Sequence, residues 1–245
     1  MNSSRFGGPA RVASAWAVHA FTATGAVLAF LALMAILEAN WPLALVWLLA
    51  ALAVDGIDGS LARWARVKEG APRIDGAALD LIIDYLNYVF VPAVLIWRAG
   101  LVPGTLAPAL IAAILVSALY NFTRLDMKTP DNYFRGFPAL WNLVAFYLFV
   151  TRPSPEWAAL AIALLAALTF APVHFVHPFR VRDYGRWLPL LACLWAAATA
   201  ALLWPGWSEG ARAGLLGVSV ASGAALLALG LLRTARGPRA TEESR

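Results

Sequence analysis

Charge is scarce in this sequence. Only 13% of its 245 residues are Asp, Glu, Lys or Arg, against 61% hydrophobic ones, and the mean hydropathy is +0.70. A water-soluble domain of this size needs a charged exterior that so few ionic side chains cannot build, which leaves an integral membrane protein. Cysteine is scarcer still. Cys193 stands alone, so no disulfide can form within the chain and cysteine usage says nothing about redox compartment. No internal repeat of the kind that marks duplicated transporters is visible. Acids number only 14 against 19 bases, giving a net charge of +5 and a pI near 9.8. In a soluble chain that excess would suggest nucleic acid. Here the bases fall between apolar segments, where the positive-inside rule places them, and no nucleic-acid partner is expected.

What the sequence has in quantity is apolar runs. Residues 1–15 are polar and carry Arg5 and Arg11, and an apolar segment follows at about 18–37. It is longer than a signal-peptide core, and Glu38-Ala39-Asn40-Trp41 is a poor cleavage site, so it reads as a first transmembrane helix. Seven more segments follow at about 42–64, 76–97, 103–123, 137–151, 157–176, 187–204 and 211–232, each near the length that spans a hydrocarbon core. With the N-terminus inside, the inner segments hold 16 of the 19 basic residues, and only Arg98, Arg152 and Arg212 fall outside. The expected fold is therefore an all-α polytopic membrane bundle of about eight helices with both termini cytoplasmic. Residues 1–235 form one transmembrane domain in this reading, followed by a short polar tail at 236–245. Pro92, Pro108, Pro172 and Pro189 lie in or near segment ends and kink or start helices.

Against this background the acids of one stretch stand out. Asp55, Asp58, Asp80 and Asp84 sit inside two apolar segments. A carboxylate in hydrocarbon costs about 2.5–3.5 kcal/mol even on lenient insertion scales, so four together cost roughly 10 kcal/mol unless something neutralises them. At 100° per residue, Asp55, Asp58, Gly59 and Ala62 share one stripe of the second segment, and Gly76, Asp80, Asp84 and Asn87 share one stripe of the third. The second segment enters from outside and the third from inside, so both sets lie in the cytoplasmic half. Two opposed faces make a four-carboxylate cage. All-oxygen donors suit Mg²⁺ or Mn²⁺ rather than zinc, and four carboxylates can hold two ions whose standard use is polarising phosphoryl oxygens. Small residues such as Gly59, Ala62 and Gly76 often serve only helix packing. Beside paired acids they leave room for a ligand. Arg63 is either a membrane-edge anchor or a fork for phosphate. Asp75 reads as the N-cap of the third segment.

The spacing Asp55-x2-Asp58-Gly59-x2-Ala62-Arg63-x12-Gly76-x3-Asp80-x3-Asp84 resembles the signature of the CDP-alcohol phosphotransferase family. Those enzymes displace CMP from a CDP-linked molecule with an alcohol, inside the membrane. The interval of 12 between Arg63 and Gly76 is longer than the family's usual one. With Gly56 and the segment KTPDNYFRGFPALWN (128–142), it resembles the bacterial phosphatidylcholine synthase branch, and the likeness weakens after about residue 180. The resemblance implies Asp55, Asp58, Asp80 and Asp84 as metal ligands, with Asp84 also the general base. It implies Gly59, Ala62 and Gly76 around the cytidine and Arg63 near the diphosphate. The resemblance then implies CDP-diacylglycerol and choline as substrates, with Mn²⁺ or Mg²⁺, two ions, at a site facing the cytoplasm of the bacterial inner membrane.

A quaternary ammonium is bound by aromatic faces. Tyr85, Tyr88, Tyr120 and Trp141, with Asn87 and Asn142 as polar companions, are candidates for choline, and Tyr133 and Asn121 lie on the same side. The competing explanation is the interfacial aromatic belt, which accounts for most of the 11 Trp. His174 and His177 lie in a basic connecting loop and read as interface residues. Other acceptors remain open. Serine, glycerol 3-phosphate or inositol phosphate would want extra bases, which Arg124, Lys128 and Arg135 supply. A divalent-cation transporter would want acids continuing outward, and segments four to eight contain none in their interiors. Oligomeric state stays open, a homodimer included.

Overall fold

The computed structural model describes residues 8–237, so Arg5, Arg239, Arg245 and most of the expected tail at 236–245 lie outside it. The described chain is mostly helical. Helices α1 (Pro9–Leu37) and α2 (Trp41–Trp64) come first, then the single turn α3 (Val67–Gly70). Next, α4 (Gly76–Tyr85) runs through a π-turn (Leu86–Phe90) into α5 (Val91–Arg98). Helices α6 (Ala107–Thr123), α7 (Trp141–Thr151), α8 (Pro155–Leu168), α9 (Trp187–Ala201) and α10 (Glu209–Arg236) follow. Four helical stretches are long and apolar enough to cross a membrane: α1, α2, the continuous Gly76–Arg98 and α10. The shorter apolar helices α6, α7, α8 and α9 fall where the remaining segments were expected.

Contacts divide the chain into two compact units, one running to Ala107 and including Trp141–Arg152, the other formed by Pro108–Leu140 and Pro153 onward. In the first unit α1 and α2 form the most extensive helix pair. The α1 residues Ala15, Val18, His19, Thr22, Gly25, Ala29, Ala32, Ala35 and Ile36 recur at three- and four-residue steps and are buried. Such a small-residue stripe lets backbones approach closely, which is how helices associate where no hydrophobic force separates protein from solvent. The other side of α1 leaves Trp16, Val27, Phe30 and Leu37 exposed, as a lipid-facing surface requires. Asn40 caps α2, its side chain accepting from the Leu43 N–H at 3.3 Å. Asp75 caps α4 as the sequence suggests, accepting from the N–H groups of Ala77 and Ala78 at 3.0 and 3.1 Å.

In the second unit α9 and α10 pair, with a buried hydroxyl contact of 2.8 Å between Thr199 and Ser219. One feature departs from an all-α reading. Phe134–Arg135 (β1) and His174–Phe175 (β2) form an antiparallel two-stranded ribbon, Phe134 opposite Phe175 and Arg135 opposite His174. It shortens the segment expected at 157–176, whose helix ends at Leu168. The cause is local. Gly136 has φ +77°, and a Cβ there would collide with the Thr169 carbonyl, so the ribbon crosses directly over the end of α8. Likewise the segment expected from 137 starts its helix only at Trp141, after Pro138 and after Ala139 at φ +56°.

Candidate active site

The acids lie on α2 and α4, and the helices bring them together. Carboxylate oxygens of Asp55, Asp80 and Asp84 all lie within 4.8 Å of one another. Asp58, only 5% exposed, lines the same small cavity from the next turn of α2, with Thr22 of α1 in hydrogen-bonding reach. The fourth acid therefore shares the cavity but stands apart from the closest cluster. Ala51, Val54 and Ile83 supply apolar wall. Three ionised carboxylates this close would repel strongly in a low-dielectric surrounding, which makes the cluster hard to keep charged without a counter-ion. A cation resolves the conflict. The donors are hard carboxylate oxygens, which fit Mg²⁺ or Mn²⁺ and not a thiolate- or imidazole-seeking metal.

The cavity has a third wall that the spacing of the acids did not reveal. Thr22 and Gly25 of α1 line it. A Cβ on Gly25 would strike the Ile83 side chain, so glycine is what lets α1 lie against α4 here. Asn87, 2% exposed, donates through its amide nitrogen to the carbonyls of Gly25 (2.9 Å) and Ile83 (3.0 Å). Two carbonyl partners can be satisfied only by the NH₂ end, which fixes the amide and turns its oxygen away from them. The signal for this wall was faint: Thr22 is one of several polar residues in α1, with Ser14, His19 and Thr24.

The π-turn shapes the remainder. Pro92 has no N–H, and its ring crowds the carbonyl four residues back, that of Tyr88. The widened turn relieves this, with the Val91 N–H donating to Leu86, five residues back. Tyr88 lies four residues after Asp84, about 40° further round a regular helix, so it stands on the acid-bearing face. In the structure Tyr88 is 6% exposed and its hydroxyl donates to Asp55 Oδ2 at 2.5 Å. Its polar end is thus committed to an acid, and only the ring face is left for a cation.

The other expected residues distribute as follows. Gly59 and Ala62 are half-buried on α2, and Arg63 is exposed, its Nη2 donating to Ser60 Oγ at 2.9 Å. None of these three lines the acid cavity, and neither does Gly76. A Cβ built on Gly76 would lie 3.1 Å from His19 Cε1, so packing against α1 already calls for a small residue there. Tyr85 is half-buried on the last turn of α4. Trp141 and Asn142 are buried at the start of α7, which packs on the π-turn. Tyr120 belongs to the second unit. Its ring lies 4.7 Å from that of Phe170 and carries the Arg124 guanidinium at 5.3 Å, so its faces are already engaged. Tyr133 and Asn121 are fully buried in the same unit. His174 accepts and donates only within packing contacts, with Thr234 at 2.8 Å from its N–H, and His177 stacks on Phe134 at 5.5 Å. Both make local contacts within the second unit.

The model of one family, CDP-alcohol phosphatidyltransferase, matches residues 17–173, which include both acid-bearing helices and the π-turn. The chain belongs to this family. It is also 50% identical over 177 residues to a phosphatidylcholine synthase of Pseudomonas aeruginosa, covering 72% of this chain and 74% of that one. A phosphatidylcholine synthase of Bradyrhizobium diazoefficiens is 47% identical over 189 residues, 77% and 70% of the two chains. One from Borreliella burgdorferi is 35% identical over 183 residues, 74% and 78%. As a family member with several apolar helices, the chain is a multi-pass membrane enzyme of phospholipid synthesis.

Proposed function

We propose that this CDP-alcohol phosphatidyltransferase transfers the phosphatidyl group of CDP-diacylglycerol to choline, giving phosphatidylcholine and CMP. The observation that supports it most is the 50% identity to a relative of that name, shared over 72% of the chain. The acid cluster supplies the chemistry. Asp55, Asp58, Asp80 and Asp84 would hold Mn²⁺ or Mg²⁺, two ions in this reading, and a bound cation there polarises phosphoryl oxygens and neutralises charge on the diphosphate. Choline's hydroxyl is a weak nucleophile at neutral pH. Asp84 takes its proton as the oxygen bonds to the β-phosphorus, the bridging P–O bond breaks, and CMP leaves with the electron pair. Gly59, Ala62 and Gly76 give the nucleotide room, and the Arg63 fork faces the diphosphate. Tyr85, Tyr88 and Trp141 offer ring faces to the ammonium, with Asn87 and Asn142 beside them. The whole of residues 1–235 serves this one activity, in eight spans across the bacterial inner membrane, with both termini and the acids towards the cytoplasm. The distribution of 16 of 19 bases supports that orientation.

An anionic acceptor such as serine, glycerol 3-phosphate or inositol phosphate is the second reading. Two of the bases it would need are engaged. Arg124 and Arg135 both bind Asp126, at 2.8 and 3.3 Å. A screen of acceptor alcohols against radiolabelled CDP-diacylglycerol decides between them. Release of CMP should depend on choline and on Mn²⁺ or Mg²⁺. Turnover with serine or glycerol 3-phosphate, and none with choline, would transfer the assignment to the second reading.

A further inference from the structure

Tyr88 is a phenol that touches the acid cluster. It follows Asp84 by four residues, on the same helical face, within the π-turn at Leu86–Phe90, and its hydroxyl donates to Asp55 Oδ2. The bond crosses from the third membrane segment to the second. At 2.5 Å it is a short O–H···O bond.

Consider what Asp55 would do without it. Its carboxylate lies within 4.8 Å of those of Asp80 and Asp84, and no basic side chain lines the cavity. Repulsion favours a rotamer that turns Asp55 away. Bringing it back when a cation arrives then subtracts from the binding free energy. A phenol donor holds one carboxylate oxygen and leaves the other oxygen, with its lone pairs, directed by the geometry of the bond. Because Tyr88 is only 6% exposed, water does not compete for that donor.

We infer that Tyr88 is a positioning residue for the cation site, acting through its hydroxyl on Asp55. This rests on the reading of the acids as a divalent-cation site. It does not depend on which alcohol is the acceptor. Partners that orient metal-bound carboxylates cost about 10–100-fold in metal affinity when removed.

The test uses the full-length protein in lipid nanodiscs, with free Mn²⁺ followed by electron paramagnetic resonance. Tyr88→Phe keeps the ring and removes the donor. It should weaken Mn²⁺ binding about 10–100-fold and raise the Mn²⁺ needed for half-maximal turnover by the same factor. Tyr147→Phe, a hydroxyl removed from α7, should change neither. Wild-type Mn²⁺ affinity in Tyr88→Phe, whatever its melting temperature, overturns the inference. No Mn²⁺ or Mg²⁺ binding by the wild type instead overturns the cation-site reading beneath it. A second measurement is independent of that variant's folding. With 3-fluorotyrosine at position 88, the ¹⁹F resonance should move as Mg²⁺ is titrated, and a resonance that stays fixed through saturation overturns the inference as well.

Discussion

At the scale of single residues, four acids with almost identical surroundings in sequence end in different positions. Asp55 is held by a phenol, Asp58 lies buried one turn deeper beside Thr22, and Asp80 and Asp84 face Asp55 across the helix pair. Asp84 is the acid proposed above as the proton acceptor. Asp84→Asn keeps the shape and most of the hydrogen-bonding capacity while removing the basic oxygen. Turnover should fall about 10²–10⁴-fold, the usual range for a positioned base, with CDP-diacylglycerol binding weakened far less. Steady-state kinetics beside nucleotide binding measure both quantities. Full activity in this variant removes Asp84 from the mechanism.

At the scale of elements, the last helix is locked to the connecting loops of its own unit. Arg233 of α10 donates through Nε to Asp131 Oδ2 at 2.6 Å, with both side chains only 9% exposed, and its guanidinium lies 5.5 Å from the centre of the Tyr133 ring. The Tyr133 hydroxyl in turn donates to Asp183 at 3.0 Å. Gly230, one turn earlier, lets the β2 strand pass where any Cβ would strike the His174 carbonyl. Burial pushes the Asp131 carboxyl up, but the hydrogen bonds from Arg233 and Thr129 outweigh it and hold the group below the usual carboxylate range. Arg233→Ala leaves that buried carboxylate without its charge partner, which costs up to about 3–5 kcal/mol. The sign with pH follows. A depressed pKa contributes stability at neutral pH that disappears as pH falls through it, so the wild type's advantage in melting temperature should be large at pH 7 and shrink towards about pH 3. Thermal melts of both proteins across that range check it, and a constant gap would show that the ion pair is not its source.

At the scale of the whole molecule, two kinds of apolar surface coexist. Small residues face inward on α1 and α2, while large ones such as Phe30, Trp97, Leu160 and Leu231 remain exposed. In water such a surface would aggregate, and in a bilayer it is the ground state. The orientation proposed from the basic residues has a direct readout. Reporter fusions at Arg245 and after Arg11 should both behave as cytoplasmic, the C-terminal one fluorescing when fused to a protein that folds only inside. A periplasmic C-terminus would mean an odd number of spans and would move one of the short helices α6, α7, α8 or α9 out of the spanning set.

The acids, their spacing and the apolar runs were determined by the sequence alone, because helical geometry at 100° per residue is local and charge in hydrocarbon has few explanations. The Asp75 cap and the eight helical segments were legible for the same reason. What the chain could not disclose by periodicity is everything that depends on a second element or on a broken helix. The α1 wall of the site needed Gly25 to be seen against Ile83. The ribbon needed Gly136 to be seen over Thr169. Tyr88 changes from a candidate aromatic face into a partner of Asp55 only when the third segment is seen packed against the second. A one-dimensional pattern assigns faces by assuming a regular helix, and the tertiary structure decided where that assumption fails.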